Sequence, residues 1–394
     1  MKRQVLRLKK NEDRRIRTGH VWIYSNEVAS SLKDFSPGEE VIIEAHDKTI
    51  LGAAFVNPHS LIAGRLFTRN PDEYFDQAFI VKKILAAFAF REHFFKDPFY
   101  RLIFSDSDGL PGIIADRFLD TLSLQLNIAG VDAKTDIILD AFREAVPSLK
   151  AILLRNDSPI RKQEGLETFV KPGWGTPPDV VQVKENGMIF EAPLWQGQKT
   201  GWFYDHRLNR LRLKDYVRDL RVLDVFSYLG AFAIQAAGFG AQSITCIDES
   251  KLSADWIQKN ASLNGVSDKI SVITEDAFTA LKNLSEKYDV IILDPPAFMK
   301  KQKDKKEGFI AYQRLNEAAM KLLNPNGVLF SCSCSMHLSM DDLGEVIKRA
   351  SLKTNTGMQI IERGHQGPDH PVHLSIPETD YLKMIIARKM SCVQ

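Results

Sequence analysis

The second half of the chain alternates apolar, β-rich runs with helical segments, and this alternation restricts the fold more than any other feature of the sequence. The apolar runs lie at residues 222–226, 243–247, 270–273, 290–293 and 328–332, and helical segments at 230–238, 250–264, 277–285 and 308–323 separate them. Such alternation predicts an α/β domain, a parallel sheet with helices on both faces. Two further strands, at 358–362 and 380–388, have no helix between them, so the last strand could enter antiparallel.

The first half of the chain follows a different pattern. Residues 1 to about 70 contain short strands at 41–43, 51–56 and 61–67, broken by turn residues, which indicates a small barrel. Apolar residues at helical spacing then predict a helix from residue 73 to about 95. The middle of the chain mixes strands with helices and ends in a hairpin at 180–192, with Asn186-Gly187 as its two-residue turn.

Composition narrows the class of protein and its surroundings. A chain of 394 residues, 44% hydrophobic and 26% charged, is typical of a soluble globular protein with more than one domain. No apolar run is long enough to span a bilayer, and Met1-Lys2-Arg3-Gln4 leads into charge rather than into the apolar part of a secretion signal. Four cysteines form no disulfide framework, so a reducing cytoplasm is the expected location.

Positive charge is concentrated in two places, although the net charge is only +2. Eight of the first 17 residues are lysine or arginine, and a second cluster consists of Lys300, Lys301, Lys303, Lys305 and Lys306. Basic clusters of this kind attract phosphate groups, but each is equally consistent with a solvated tail or loop.

Carboxylates and one thiol follow the predicted parallel strands. Asp224 and Asp248 stand at the ends of the first and second strands, Asp276 and Asp294 follow the third and fourth, and Cys334 follows the fifth. Ligands of open α/β sheets bind at the carboxyl ends of the strands. A single acid at such a position is often a helix cap, whereas several acids at the same edge indicate a binding site.

The loop after the first strand favours S-adenosylmethionine over a dinucleotide. It lacks a G-x-G-x-x-G run, which a pyrophosphate needs and S-adenosylmethionine does not. Asp248 suits two ribose hydroxyls, and Asp276 suits the amino group of adenine. The remaining cofactor-binding positions of this loop are predicted to be Asp224, Phe226, Ser227, Tyr228 and Gly230, with Asp294 from the fourth strand.

Asp294-Pro295-Pro296 and Cys334 indicate chemistry on a nucleobase. Prolines fix the backbone, so a flat ring flipped out of its stack can be held beside the acid. Attack of a thiolate on carbon 6 of a pyrimidine makes carbon 5 nucleophilic enough to accept a methyl group. We therefore predict Cys334 and Asp294 as catalytic residues, and Pro295, Pro296, Phe298, Lys300 and Lys301 as substrate-binding residues.

The chain resembles the large-subunit ribosomal RNA cytosine-5 methyltransferases related to bacterial methyltransferase I. The resemblance rests on residues 222–232, on Asp294-Pro295-Pro296-Ala297-Phe298 and on Ser333-Cys334-Ser335, with further matches at residues 9–25, 200–210, 368–372 and 377–383. It implies a PUA-like RNA-binding barrel at residues 1–72, a central α+β domain at 73–192 and a class I, Rossmann-like methyltransferase domain at 193–394. It also implies S-adenosylmethionine as cofactor and 23S ribosomal RNA as substrate. Asp205 and Arg207 lie in one of the matching stretches, where a contact with the cofactor is predicted and a structural ion pair is the alternative.

Several alternatives remain open at this stage. A uracil-5 methyltransferase uses the same covalent chemistry, and an enzyme acting on an exocyclic amine uses a similar fold without the cysteine. A non-catalytic RNA-binding assembly factor is a further alternative, and the cofactor site would then be vestigial. Ala297 and Phe298 stand where another group of RNA cytosine-5 methyltransferases has a second cysteine, so the base that removes the carbon-5 proton is not identified. The histidines fit no zinc pattern, so no metal is expected. The oligomeric state is also open, with a homodimer as one alternative.

Overall fold

The computed structural model describes residues 3–390, which fall into two compact units. The first unit comprises residues 3–181, 193–204 and 368–379, and the second comprises residues 182–192, 205–367 and 380–390. The first unit thus contains residues 3–72 and most of 73–192, and the second unit contains the 182–192 segment; the predicted division into three domains stays a prediction.

The amino-terminal part of the first unit is a five-stranded sheet with strand order β1-β3-β4-β5-β2. Its elements are β1 (Gln4–Arg7), α1 (Arg14–Arg17), β2 (Trp22–Ile23), β3 (Glu39–Glu44), β4 (Ile50–Val56) and β5 (Gly64–Thr68). Alternate residues of β3 are buried, because Val41 and Ile43 face a core that also contains Leu6 and Leu8. The predicted strands at 41–43 and 51–56 are thus confirmed, and the predicted strand at 61–67 begins three residues later.

The central part of the first unit is a second five-stranded sheet, with order β10-β9-β8-β7-β6, covered by helices. Its elements are α2 (Gln77–Phe94), β6 (Phe99–Phe104), β7 (Ile113–Phe118), β8 (Thr121–Leu126), α3 (Ala129–Asp132), α4 (Thr135–Ala145), β9 (Ala151–Asn156), α5 (Pro159–Gln163) and β10 (Phe169–Gly175). The predicted long helix begins at Gln77 rather than at residue 73, because the side chain of Asp76 caps it by accepting a hydrogen bond from the Phe79 N–H.

One hydrophobic core joins the two sheets of the first unit. Phe55 and Phe67 of the first sheet pack against Phe75, which precedes α2, with ring centroids 4.9 and 5.4 Å apart respectively. Phe79 of α2 contacts Phe67 and Phe75 in turn. The sequence pattern contained no sign of this packing across residue 72, and the boundary given there stays a prediction.

The hairpin predicted at 180–192 is confirmed as β11 (Val180–Glu185) and β12 (Met188–Pro193). Asn186 and Gly187 both have positive φ angles, of 51° and 86°, as this type of turn requires. Two asparagine side chains act as the next hydrogen-bonding partner of β12: Asn264 bonds the N–H and C=O of Ile189, and Asn260 bonds those of Glu191. These bonds explain why the hairpin belongs to the second unit.

The second unit is built on a seven-stranded sheet with order β15-β14-β13-β16-β17-β19-β18. Its elements are α6 (Arg207–Leu211), β13 (Arg221–Val225), α7 (Ala231–Gly238), β14 (Ser243–Asp248), α8 (Lys251–Leu263), β15 (Ile270–Thr274), α9 (Ala277–Asn283), β16 (Tyr288–Leu293), α10 (Lys305–Leu322), β17 (Leu323–Ser333), α11 (Met340–Lys353), β18 (Met358–His365) and β19 (Lys383–Lys389). Strands β13 to β17 pair in parallel, and β19 pairs antiparallel with β17, as predicted.

The predicted α/β architecture is thus present in the second unit, with two helices, α6 and α11, that the sequence pattern did not predict. Across residues 3–390, no helix has both the length and the apolar character needed to cross a membrane.

Candidate active site

Strand register aligns the candidate residues at the carboxyl edge of the second sheet. Val225 pairs with Ile247 and with Leu293, and Leu293 pairs with Ser331. The next residues along the four strands, Phe226, Asp248, Asp294 and Cys332, therefore lie at one level. Cys334 lies two residues beyond that level, just after β17 ends.

Asp224 is a buried carboxylate whose charge nearby donors compensate only in part. Its side chain is 1% exposed, and neither oxygen has a hydrogen-bond partner among residues 3–390. Burial, together with the nearby charge of Asp294, raises the pKa of this carboxyl from 3.8 to about 7. A buried acid in this state is suited to a cationic ligand, because a bound ammonium group would compensate its charge.

The loop between β13 and α7 adopts an unusual backbone conformation. Phe226, Tyr228 and Gly230 all have positive φ angles, of 68°, 49° and 78° respectively. Such angles are uncommon for residues other than glycine and often mark functional sites. The Ser227 hydroxyl donates to the Asp224 carbonyl at 2.7 Å, which fixes the turn. At Gly230 a Cβ atom would lie 3.1 Å from the Ile234 side chain, so this position also favours glycine sterically.

Asp248 and Asp276 are partly engaged in local structure. The two oxygens of Asp248 accept hydrogen bonds from the Tyr228 and Ser250 N–H groups, at 2.9 and 3.0 Å. Oδ1 of Asp276 caps α9 by accepting from the N–H and hydroxyl of Thr279. A carboxylate has about four acceptor sites, so both acids retain capacity for a ligand in addition to these bonds.

Asp294 is held by a histidine. Nε2 of His206 lies 3.1 Å from Oδ1 of Asp294, and the His206 side chain is 5% exposed whereas the Asp294 side chain is 25% exposed. The His206 ring packs against Phe232, with centroids 5.4 Å apart. One ligand-type atom from each of His206, Asp294 and Cys332 lies within 4.8 Å of the other two.

The loops that follow β16 and β17 are joined by hydrogen bonds. The Cys334 thiol lies 3.9 Å from the carbonyl oxygen of Pro295, and the Met299 N–H donates to the Ser335 hydroxyl at 3.2 Å. The buried Tyr312 hydroxyl lies 2.9 Å from the hydroxyls of both Ser335 and Ser333. The thiol is therefore held beside the proline segment that follows Asp294.

The two neighbouring cysteines have different environments. Cys332 is 1% exposed, and burial raises the pKa of its thiol well above the ordinary value. Cys334 is partly exposed, and its charge interacts with the ammonium group of Lys383. Lys383 is 4% exposed, and its Nζ donates to the carbonyls of Ser335 and Tyr381 at 2.6 and 2.8 Å. Burial lowers the pKa of Lys383 to about 8.

Asp205 and Arg207 bond to separate partners. The Tyr381 hydroxyl donates to Asp205 at 2.5 Å, and Arg207 lies 3.6 Å from the carboxylate of Glu185. Burial alone would raise the pKa of Glu185, but the guanidinium groups of Arg210 and Arg207 outweigh it and lower the pKa. These residues thus have structural contacts within the second unit, and a contact with the cofactor stays a prediction.

The predicted substrate-binding residues surround the proline segment. Pro295 is buried, Pro296 is exposed, and the Phe298 ring packs against the Tyr312 ring with centroids 4.8 Å apart. Lys300 and Lys301 are exposed, as are Lys303 and Lys306. Lys305 instead forms an ion pair with Asp342 at 3.1 Å.

The amino-terminal basic cluster is largely paired within the protein. Arg7 contacts Glu44 and Arg15 contacts Glu27, both at 2.6 Å, while Arg3 and Arg17 also lie beside carboxylates. The exposed cations of this segment outside these ion pairs are Lys9, Lys10 and Arg14, and Lys2 lies outside the described residues. The expected phosphate-binding surface is therefore smaller here than the sequence indicated.

Two site residues were not predicted from the sequence, namely His206 and Lys383. Each lies inside a stretch that carries the family resemblance, at 200–210 and 377–383. Their roles depend on Asp294 and Cys334, which are distant in sequence. The resemblance could have drawn attention to both residues, but it could not have given their contacts.

The chain matches two families of known domains. Residues 6–69 match a PUA-like domain, and residues 168–383 match an S-adenosylmethionine-dependent methyltransferase. The predicted fold class is thereby confirmed.

The curated relatives extend over nearly the whole chain. Ribosomal RNA large subunit methyltransferase I of Escherichia coli (strain SMS-3-5 / SECEC) is 35% identical over 97% of this chain and 98% of that protein. The protein of the same name from Cronobacter sakazakii is 34% identical over 95% of this chain and 97% of that protein.

A solved structure with the same fold is described as a SAM-dependent methyltransferase from Streptococcus mutans. It has a TM-score of 0.84 at 21% identity and covers 98% of this chain and 100% of that one. A second methyltransferase structure, complexed with SAH, has a TM-score of 0.84 at 20% identity with the same coverage.

Proposed function

The chain belongs to the ribosomal RNA large subunit methyltransferase I family of S-adenosylmethionine-dependent enzymes, and from this premise we propose that it methylates carbon 5 of a cytosine in 23S ribosomal RNA. The observation that carries the proposal is the pairing of a partly exposed thiol, Cys334, with the proline segment that follows Asp294. An enzyme that methylates an exocyclic amine has no use for a thiol at this position.

The substrate class rests on the relatives and on the amino-terminal domain. The curated relatives are named as methyltransferases of large-subunit ribosomal RNA, and residues 6–69 match a PUA-like domain, an RNA-binding module in the family. The exposed lysines at 300, 301, 303 and 306 follow the proline segment directly, where they can contact phosphates beside a bound base.

The cofactor site is formed by the edge of the sheet. Asp224 is the carboxylate suited to the ammonium group of the methionine part, because it is buried and its charge is not fully compensated by the protein. Asp248 has acceptor capacity for the ribose hydroxyls, and Asp276 for the adenine amino group. The loop with positive φ angles at Phe226 and Tyr228 follows β13 at the same edge of the sheet. S-adenosylmethionine supplies the methyl group when bound.

The thiol of Cys334 has the features of a nucleophile. It is partly exposed, and the Lys383 ammonium group favours its thiolate form by electrostatic attraction. Cys332 is level with Asp294, but its thiol is buried and has a raised pKa, so it remains protonated and unreactive.

The reaction proceeds by addition and elimination. The Cys334 thiolate forms a bond to carbon 6 of cytosine, and the electron pair of the 5,6 double bond makes carbon 5 nucleophilic. The Asp294 carboxylate accepts a hydrogen bond from the N4 amino group of the ring and so stabilises the adduct. Carbon 5 takes the methyl group; loss of its proton to a base then restores the double bond and releases Cys334 as the thiolate.

Nucleoside mass spectrometry of ribosomal RNA from cells with and without this gene tests the proposal. We expect 5-methylcytidine to be lost from one position of 23S RNA and restored by the wild-type gene. Loss of 5-methyluridine or of an N-methylated nucleoside instead would replace cytosine carbon 5 as the target. No change in any nucleoside, with no cofactor binding by the purified protein, would favour an RNA-binding assembly factor.

A further inference from the structure

The residues around Asp294 form a chain of hydrogen bonds that has no part in the mechanism described so far. We propose that His206 is a positioning residue, which holds the carboxylate of Asp294 with one fixed N–H donor, and that Asn209 and Arg212 select the tautomer that provides this donor. This inference rests on the proposed function, because Asp294 is there the group that contacts the target base.

Arg212 fixes the orientation of the Asn209 side chain. Nη1 of Arg212 donates to Oδ1 of Asn209 at 3.3 Å, and a guanidinium group has only donors to offer. The carboxamide oxygen must therefore face Arg212, which directs the amide nitrogen, Nδ2, towards His206. Arg212 is itself held by Glu362, with Nε 3.1 Å from the carboxylate.

Asn209 in turn fixes the tautomer of His206. Nδ2 of Asn209 lies 3.3 Å from Nδ1 of the imidazole, and Asn209 is completely buried. An amide nitrogen only donates, so Nδ1 must accept and cannot carry a proton. The proton of the neutral ring is therefore on Nε2, which lies 3.1 Å from Oδ1 of Asp294 and donates to it.

The same reasoning distinguishes this cluster from a metal centre. His206, Asp294 and Cys332 each offer one ligand-type atom within 4.8 Å of the others, a spacing that could hold a metal ion. The lone pair of Nε2 is used by its proton in the tautomer that Asn209 selects, and the buried Cys332 thiol is not a thiolate. The donors therefore suit a hydrogen bond to Asp294 better than a metal.

The hydrogen bond from His206 restricts the orientation of the Asp294 carboxylate. With Oδ1 engaged by a buried, rigid donor, the carboxylate cannot rotate freely, and its other oxygen is available to the base. A catalytic group held in this way does not have to be ordered when the substrate binds.

Nitrogen-15 NMR of the protein labelled at histidine tests the tautomer directly. The His206 signals are identified by their loss in His206→Gln. We expect Nδ1 to have the shift of an unprotonated ring nitrogen and Nε2 that of a protonated one. In Asn209→Asp, a variant of nearly the same shape whose side chain accepts at Nδ1, we expect Nδ1 to become protonated. A wild-type His206 with its proton on Nδ1 would overturn the inference whatever reaction the enzyme catalyses.

Kinetics with two variants of His206 tests the positioning role. His206→Phe keeps the ring and removes the donor, whereas His206→Gln places an amide N–H near the position of Nε2. We expect kcat for RNA methylation to fall in His206→Phe by roughly tenfold to a hundredfold, as for loss of one charge-assisted hydrogen bond, with the KM for S-adenosylmethionine unchanged. His206→Gln should recover most of the loss. Equal loss in both variants, or full activity of His206→Phe, would refute the positioning role.

The two proposals fail in different ways. If methylation occurs at an atom other than carbon 5 of cytosine, the proposed function is wrong, yet the tautomer and the Gln-to-Phe comparison still decide the role of His206. If His206→Phe does not fold, as judged by cofactor binding, the NMR experiment on the wild type and on Asn209→Asp still decides the tautomer.

Discussion

Replacing Asp224 by asparagine should make the cofactor-free protein more stable and the cofactor-bound state harder to form. Asp224 is buried, its oxygens have no hydrogen-bond partner among residues 3–390, and its pKa is raised from 3.8 to about 7. The folded protein therefore carries an ionised, uncompensated carboxylate above pH 7. Asparagine has nearly the same shape and no charge, so it removes that electrostatic penalty.

The size of the effect follows from the pKa. Each pH unit by which the pKa of a folded acid exceeds its ordinary value corresponds to about 1.4 kcal/mol once the group is ionised, so a rise from 3.8 to about 7 gives on the order of 4 kcal/mol. The buried amide of the asparagine, which lacks hydrogen-bond partners, offsets about 1–3 kcal/mol of this electrostatic gain. We expect a net gain of roughly 1–3 kcal/mol in the free energy of unfolding at pH 8.

The direction in which stability changes with pH follows from proton binding at Asp224. Between pH 3.8 and about 7 the folded wild type binds more protons at Asp224 than the unfolded chain, so this group makes stability fall as pH rises. At pH 5, two units below the folded pKa, about 3 kcal/mol of the penalty has gone, and the advantage of Asp224→Asn should shrink by that amount.

Urea unfolding followed by circular dichroism at pH 8 and pH 5 measures both quantities. The transition that S-adenosylhomocysteine shifts is assigned to the second unit. Calorimetry should show cofactor affinity reduced at least about tenfold in Asp224→Asn, because the bond to the ammonium group loses its charge. A variant that is less stable than the wild type at pH 8, with no change in the difference at pH 5, would refute an uncompensated charge at Asp224.

Three further predictions concern the rest of the site. Asp248→Ala should weaken S-adenosylmethionine binding by about 2–4 kcal/mol, measured by calorimetry; unchanged affinity would remove the ribose contact. Replacing the five lysines of residues 300–306 by serine should flatten the salt dependence of RNA affinity without changing cofactor affinity; an unchanged slope would make the cluster a solvated loop only. Lys383→Gln should slow alkylation of Cys334 by iodoacetamide at pH 7 about tenfold, since the thiolate loses its neighbouring cation; an unchanged rate would remove Lys383 from the activation of the thiol.

The position of the acids was predictable because a parallel sheet places the carboxyl ends of its strands at one edge. A residue that follows an apolar run therefore reaches that edge whatever its neighbours are, and Asp248, Asp294 and Cys334 needed no tertiary information. The alternating pattern gave the parallel strands for the same reason. It did not give α11, although Ser339 and Asp342 form a capping box at its start and Leu343, Val346 and Ile347 follow at helical spacing.

The contacts that could not be predicted from the sequence join residues that are distant in the chain. The bond between His206 and Asp294 joins residues 88 positions apart, and nothing local to either one indicates the other. From the sequence alone Arg7 would be taken as an unpaired cation, whereas in the structure it forms an ion pair with Glu44. Phe55 and Phe75 likewise pack in one core across the boundary predicted at residue 72, a contact that no periodicity records.

The central claim, covalent methylation through Cys334, is tested most directly by trapping. RNA that contains 5-fluorocytosine at the target position cannot lose a proton from carbon 5, so the adduct should persist. The wild type and Cys332→Ala should both give a protein–RNA band that survives denaturing electrophoresis, and mass spectrometry should place the bond on Cys334. Cys334→Ala should bind S-adenosylmethionine and give no such band. An adduct with Cys334→Ala but not with Cys332→Ala would reverse the assignment of the two cysteines, and no adduct with the wild type would contradict the covalent mechanism.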